Sequence, residues 1–152
     1  MILELLDNVL ALVKNGLPYL RKVEDLPSRQ VLSDNLPQLA MNAPCVYAIY
    51  EGGSFAEPKS TAPRQYGTPG IVLATIAKSL RDPYGSAASR GSGSGSSRGA
   101  YEILGDLHST LLGAVPADGF GRLYLVNEGL FAVKDGIVVY VSTYRAGYQL
   151  QP

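Results

Sequence analysis

The sequence is short of the residues that most often carry chemistry. It has one cysteine, one histidine and no tryptophan among 152 residues. A single thiol, Cys45, cannot form an internal disulfide. One Cys and one His cannot make a conventional zinc site, and the carboxylates are scattered along the chain. Net charge is also absent: 13 basic residues balance 13 acidic ones. That excludes the strong global field that draws a protein to nucleic acid or to a membrane surface. No run approaches the length of uncharged apolar residues that spans a bilayer. The first helix carries Glu4 and Asp7 and lacks a basic leader, so it does not read as a signal peptide, and an intracellular, reducing site of synthesis is expected. No cofactor and no membrane partner is expected.

What is present suits one compact domain over residues 1–152, long enough to bury a core without staples. The chain is 46% hydrophobic, with 17 glycines, 10 prolines and 10 tyrosines. Ile2, Leu6, Val9 and Val13 recur at helical spacing, which predicts a helix over 2–14 with Gly16 and Pro18 ending it. Residues 19–24 predict a short, charged edge strand. A loop with Pro27 and Pro37 follows, with a helical turn at 35–41. Residues 45–51 are apolar on both alternating faces, as in a central strand. Residues 54–69 read as irregular loop because of Pro58, Pro63 and Pro69, and 71–80 as a second long strand. A helix is expected over 100–112, with Ser97 as N-cap and Gly113 as stop. Strands at 123–133 and 137–148 flank Lys134-Asp135-Gly136, a hairpin signal, with a bulge expected at Gly129. The fold class is α+β: a mixed, mostly antiparallel sheet of four to five strands packed by two main helices.

Between them lies a long Gly/Ser insertion. Of the 15 residues in 85–99, 11 are glycine or serine. So little apolar area predicts a flexible loop, and such a loop in a compact domain is functional or a linker. It is not a phosphate-binding loop, because no Lys-Ser/Thr pair enters a helix after it. The run also has the look of a synthetic linker. Charge partition isolates the same region. Residues 64–99 carry Arg64, Lys78, Arg81, Arg90 and Arg98 against Asp82, a segment of +4 between flanks of −2 each. A basic arm of this kind docks on an acidic protein neighbour or on a nucleic-acid backbone, with Arg90 and Arg98 as its contacts. The protein neighbour is favoured, since only Tyr84 and Tyr101 border the arm for base stacking.

Catalysis has little support. His108 lies at the edge of a helix stripe with Asp106 and Ser109, where no nucleophile–base–orienter geometry is met, so it reads as a boundary or surface histidine. Cys45 opens a buried strand with no nearby cation in sequence and reads as a packed thiol. The tyrosines form the stronger pattern. Tyr140, Tyr144 and Tyr148 share one face of the last strand. Two readings stand: an interface patch, or a second covered layer of the sheet.

Three stretches carry a family resemblance. They are Ile2-Leu-Glu-Leu-Leu-Asp-Asn8 through Glu24, then Ala43-Pro-Cys-Val-Tyr-Ala-Ile-Tyr-Glu-Gly-Gly53, then Gly99-Ala-Tyr-Glu-Ile-Leu-Gly-Asp-Leu-His-Ser-Thr-Leu-Leu-Gly113 with the closing strands. Together they resemble the Mu-like phage tail terminator (tail completion) family over nearly all of residues 1–148. The resemblance implies a non-catalytic virion protein that forms a homo-oligomeric, hexameric ring at the head-proximal end of the tail. There it would stop growth of the tail tube and meet the tube protein and a head–tail connector or neck protein. Phage DNA would pass through the lumen without specific binding. The alternatives are another neck or minor tail protein of similar fold, or a nucleic-acid-binding module acting through residues 64–99.

Overall fold

A computed structural model describes residues 2–57, 65–79, 84–91 and 98–150. It is an α+β fold built on one open sheet of six strands. The first helix, α1 (Ile2–Gly16), buries Leu5, Val9, Leu10 and Val13 and turns Leu3, Glu4, Asp7 and Lys14 outward. Its acidic first turn and basic last turn suit the helix dipole. A charged edge strand, β1 (Lys22–Leu26), follows.

The expected loop after β1 is partly helical. Ser28 Oγ accepts a hydrogen bond from the Val31 amide and caps α2 (Arg29–Asp34). A second short helix, α3 (Leu36–Leu39), takes Pro37 in its first turn and runs into a 3-10 turn at Ala40–Asn42. Leu32, Leu36 and Ala40 from this segment close one face of the sheet over Cys45, Tyr47 and Ile49.

The central hairpin is longer than its proline content suggests. It joins β2 (Cys45–Phe55) to β3 (Gln65–Lys78). Pairing continues to Phe55↔Gly67, past a register shift between Tyr50 and Gly52. Ser54, Phe55, Gln65 and Thr68, expected in loop, are therefore strand residues. Pro69 is tolerated because it falls between the stretches of β3 that pair with the last two strands of the chain, where it pairs with no described strand on that side, and its carbonyl accepts from the Ala146 amide. Pro58 and Pro63 lie outside the described residues.

The expected flexible arm begins as structure. Residues Ser86–Arg90 form a helical turn, α4, and Gly91 bridges Arg98. Ala88 is buried with Ala77, Ala100 and Val138. Gly99 permits the crossing: a Cβ there would lie 2.4 Å from backbone atoms of Ser89, Arg90 and Gly91. Gly99, not Ser97, is the N-cap of α5 (Ala100–Leu111). Ser97 and the rest of 92–97 lie outside the described residues.

Two strands follow, β4 (Tyr124–Lys134) and β5 (Ile137–Arg145). Their turn places Asp135 (φ 51°) and Gly136 (φ 79°) in the left-handed region, as a two-residue hairpin requires. The bulges fall at Leu125/Asn127 and Leu130/Ala132, while Gly129 stays in register with Val141. The last expected strand breaks after Arg145. A separate β6 (Tyr148–Leu150) pairs with the outer end of β3. Strand order is β1-β2-β3-β5-β4, with β1 parallel to β2 and the other pairs antiparallel.

Both faces of the sheet are covered, by unequal layers. α1 and α5 pack on Val46, Ala48, Ile71, Leu73 and Tyr144. The α2–α3 segment packs on the other face. β4 is thinly covered: α5 reaches it through His108, which contacts Glu128, while Tyr124, Val126, Leu130 and Val133 stay exposed.

Candidate subunit interface

The alternation expected along β5 is present. Val138, Tyr140, Ser142, Tyr144 and Ala146 face the α1/α5 side, and Ile137, Val139 and Val141 the other. The three tyrosines do not, however, form one exposed patch. Tyr144 is 1% exposed and sits within the helix-side core. Burial raises its hydroxyl pKa, and that hydroxyl has no hydrogen-bond partner among the described residues. Tyr148 lies on β6, where its ring packs 4.4 Å from that of Phe120. It borders an open groove of about 840 Å³ lined by Phe55, Tyr66 and Phe120. The tyrosine face thus serves largely as the covered layer, because α1 and α5 lie over its middle.

Tyr140 remains at the surface margin, in new company. Its ring meets Tyr101 of α5 edge-on, with centroids 5.9 Å apart. Side-chain hydrogen bonding with Tyr140 and with Ser89 of α4 lowers the pKa of Tyr101. Leu130 stands opposite Tyr140 across the β4–β5 ladder. Tyr101 and Leu130 are 53% and 56% exposed. Arg90, at the end of α4, lies close enough to lower the Tyr101 pKa further and forms no ion pair among the described residues. Tyr84 is exposed beside Gly85, where an added Cβ would meet the side chains of Val138 and Val133. Tyr84, Arg90, Tyr101, Leu130 and Tyr140 therefore make one patch on the β4/β5 flank. Tyrosine and arginine around an aliphatic anchor is the composition of binding hot spots. In sequence Tyr101 stands only as a tyrosine bordering the arm and Leu130 is not singled out, because the patch joins elements far apart in the chain. A tyrosine at the outward position of α5 was the available signal.

Arg98 is not part of that patch. Its guanidinium lies over the Tyr19 ring and reaches Glu102 at 3.4 Å and Asp106 at 3.8 Å. Tyr19 in turn donates to Asp106 at 2.5 Å. The charge expected to reach a partner is spent inside the subunit, pinning the end of the 85–99 segment to α5 and to the α1–β1 connection. Arg64 and Arg81 lie outside the described residues.

The remaining chemistry-bearing groups are inward or mispaired. His108 Nε2 and Ser142 Oγ both contact Glu128 Oε1 at 2.8 Å. The carboxylate stands between serine and imidazole, so the histidine does not face the serine, and Ser142 is fully buried. Cys45 is fully buried, and burial pushes its thiol up to about 12. No group of three or more metal-ligating side chains occurs among the described residues. No helix there is long and apolar enough to cross a membrane.

Comparison with known proteins gives one family. A family model described as "Bacteriophage Mu, Gp37" matches residues 1–121, from α1 to the connection before β4. No curated protein matches. Among solved structures, a chain from "Virion of native gene transfer agent (GTA) particle" is similar at 14% identity and TM-score 0.48. That likeness covers 93% of this chain and 84% of the other.

Proposed function

As a member of the bacteriophage Mu Gp37 family this chain is a phage structural protein, and we propose that it is the tail terminator. In this reading, copies of the chain form a hexameric ring on the last ring of the tail tube. The ring stops tube polymerisation and presents the surface to which a head–tail connector or neck protein binds. Assembly takes place in the host cytoplasm, and the product sits at the head-proximal end of the virion tail. DNA passes through the lumen without specific contacts, and the protein catalyses nothing.

The observation that supports this reading is the surface itself. One flank exposes a tyrosine–leucine–arginine patch beside β4, whose outer edge pairs with no described strand. A long apolar edge of that kind is a liability in a monomer and is normally covered. The Ser142–Glu128–His108 order offers no activated nucleophile to compete with an assembly role. The nucleic-acid reading is weakened by the internal pairing of Arg98.

Electron microscopy of phage particles with this chain labelled tests the proposal. Label in one ring at the head-proximal end of the tube is expected, with overlong, headless tails when the gene is removed. Label elsewhere in the neck favours the minor-protein reading. Tails of normal length joined to heads in the absence of the chain overturn the terminator role.

A further inference from the structure

A closed ring needs a heterologous contact, in which two different patches of one subunit meet in head-to-tail order. The patch of Tyr84, Arg90, Tyr101, Leu130 and Tyr140 supplies one side. Its position in the fold constrains where the other must be. Within the helix-side layer, α4 and α5 pack on β3 and β5, whereas α1 packs on β1 and β2. In the order β1-β2-β3-β5-β4, α1 therefore occupies the opposite flank of the same layer.

The outer face of α1 has the complementary character. Leu3 is 71% exposed, an isolated aliphatic side chain on a helix whose other face is already filled. Glu4 and Asp7 flank it, both exposed, and neither has an ion-pair partner among the described residues. The opposite flank offers Arg90, a cation with no carboxylate partner among the described residues, beside the exposed Tyr101 and Leu130. The acidic pair stands in the first two turns of α1, and the basic residue stands at the end of α4.

We infer that the α1 face of Leu3, Glu4 and Asp7 docks on the Arg90–Tyr101–Leu130 patch of a second copy of this chain. The inference rests on the ring reading and assigns its subunit contact. Leu3 is the apolar anchor against Tyr101 and Leu130. Arg90 is the charge that sets orientation, because a like-charged pairing of either flank with itself is unfavourable. Since the two patches lie on opposite flanks, each subunit uses both, and the contact propagates in one direction until it closes.

A charge-swap series on the full chain tests it, with assembly followed by sedimentation velocity and folding by circular dichroism. Arg90→Glu is expected to raise the concentration for half-assembly at least about tenfold. Glu4→Arg with Asp7→Arg is expected to do the same. The three substitutions together restore assembly, because the charge pair is re-formed with its signs exchanged. Leu3→Ser weakens assembly without affecting the melting temperature, as its side chain is already in water. Rings that form normally in all single-flank variants overturn this contact and leave the terminator reading standing. Disruption by each swap without restoration in the triple variant also overturns it, and assigns the two patches to different partners. A wild-type chain that never rises above monomer overturns both the contact and the ring reading.

Discussion

The guanidinium carbon of Arg98 lies 4.4 Å above the ring centroid of Tyr19, and the hydroxyl of that same ring donates to Asp106. The arginine, tyrosine and two carboxylates form a closed cluster linking α1's exit, α5 and the end of the Gly/Ser-rich stretch. Replacing Arg98 with Ala removes a cation–π contact and two partly exposed ion pairs. The expected cost is about 1–2 kcal/mol in denaturant unfolding. Lysine should recover little, since it lacks the planar group that stacks on the ring while reaching both carboxylates. Trypsin should also cut after Arg90 faster in Arg98→Ala than in the parent, because α4 is held partly through the Gly91–Arg98 bridge. Equal cleavage rates with unchanged stability would show that the cluster does not hold the segment.

The same cluster shows where sequence reasoning stops. The long helices, the central strands and the Asp135–Gly136 turn were legible because each is encoded locally, by apolar period or by turn chemistry. The sheet acquired its sixth strand because β5 and β6 are divided by Ala146-Gly147, and nothing in their shared alternation marks that break. α2 was missed because six residues with two apolar side chains carry almost no periodic signal. Its trace was the Ser28 cap. Composition predicts a flexible Gly/Ser stretch; at its described ends Ala88 gives a buried anchor and Gly99 a close backbone crossing, while residues 92–97 lie outside the described residues. Tyr140 and Arg90 stayed in the candidate interface while Tyr144 and Arg98 left it. In each case the reason is what lies above the residue, a property of packing between distant segments.

Tyr144 gives a direct check on that reassignment. Its hydroxyl is buried without a hydrogen-bond partner among the described residues, so it contributes desolvation cost and no compensating bond. Tyr144→Phe keeps the ring volume and removes the orphaned group. Stability is expected to stay level or rise by up to about 1–2 kcal/mol, with assembly unchanged. Tyr144→Asp instead places a charge among core side chains, and soluble folded protein should be lost. A clear loss of stability in the phenylalanine variant would mean that the hydroxyl has a partner.

Alkaline pH should unfold the protein through several buried acids acting together. Burial pushes the Cys45 thiol up to about 12 from 9.0, and the Tyr47 hydroxyl up to about 12 from 10.0. Burial is also the largest cause raising Tyr19 and Tyr144. In every case the folded state holds the neutral form and the unfolded chain releases its proton more readily. The stabilisation is therefore complete below the unfolded values and is lost as pH rises from about 9 towards 12. Melting temperature should be flat through neutral pH and fall steeply above about 9. Cys45 ionises first in the unfolded chain, so Cys45→Ala should soften the earliest part of the fall and leave the later, tyrosine-driven part in place. Thermal melts stepped through alkaline pH, with tyrosinate absorbance recorded in parallel, read both features. The buried tyrosines should ionise only with unfolding. Their ionisation ahead of any loss of helical signal would contradict the packing described for Tyr47 and Tyr144.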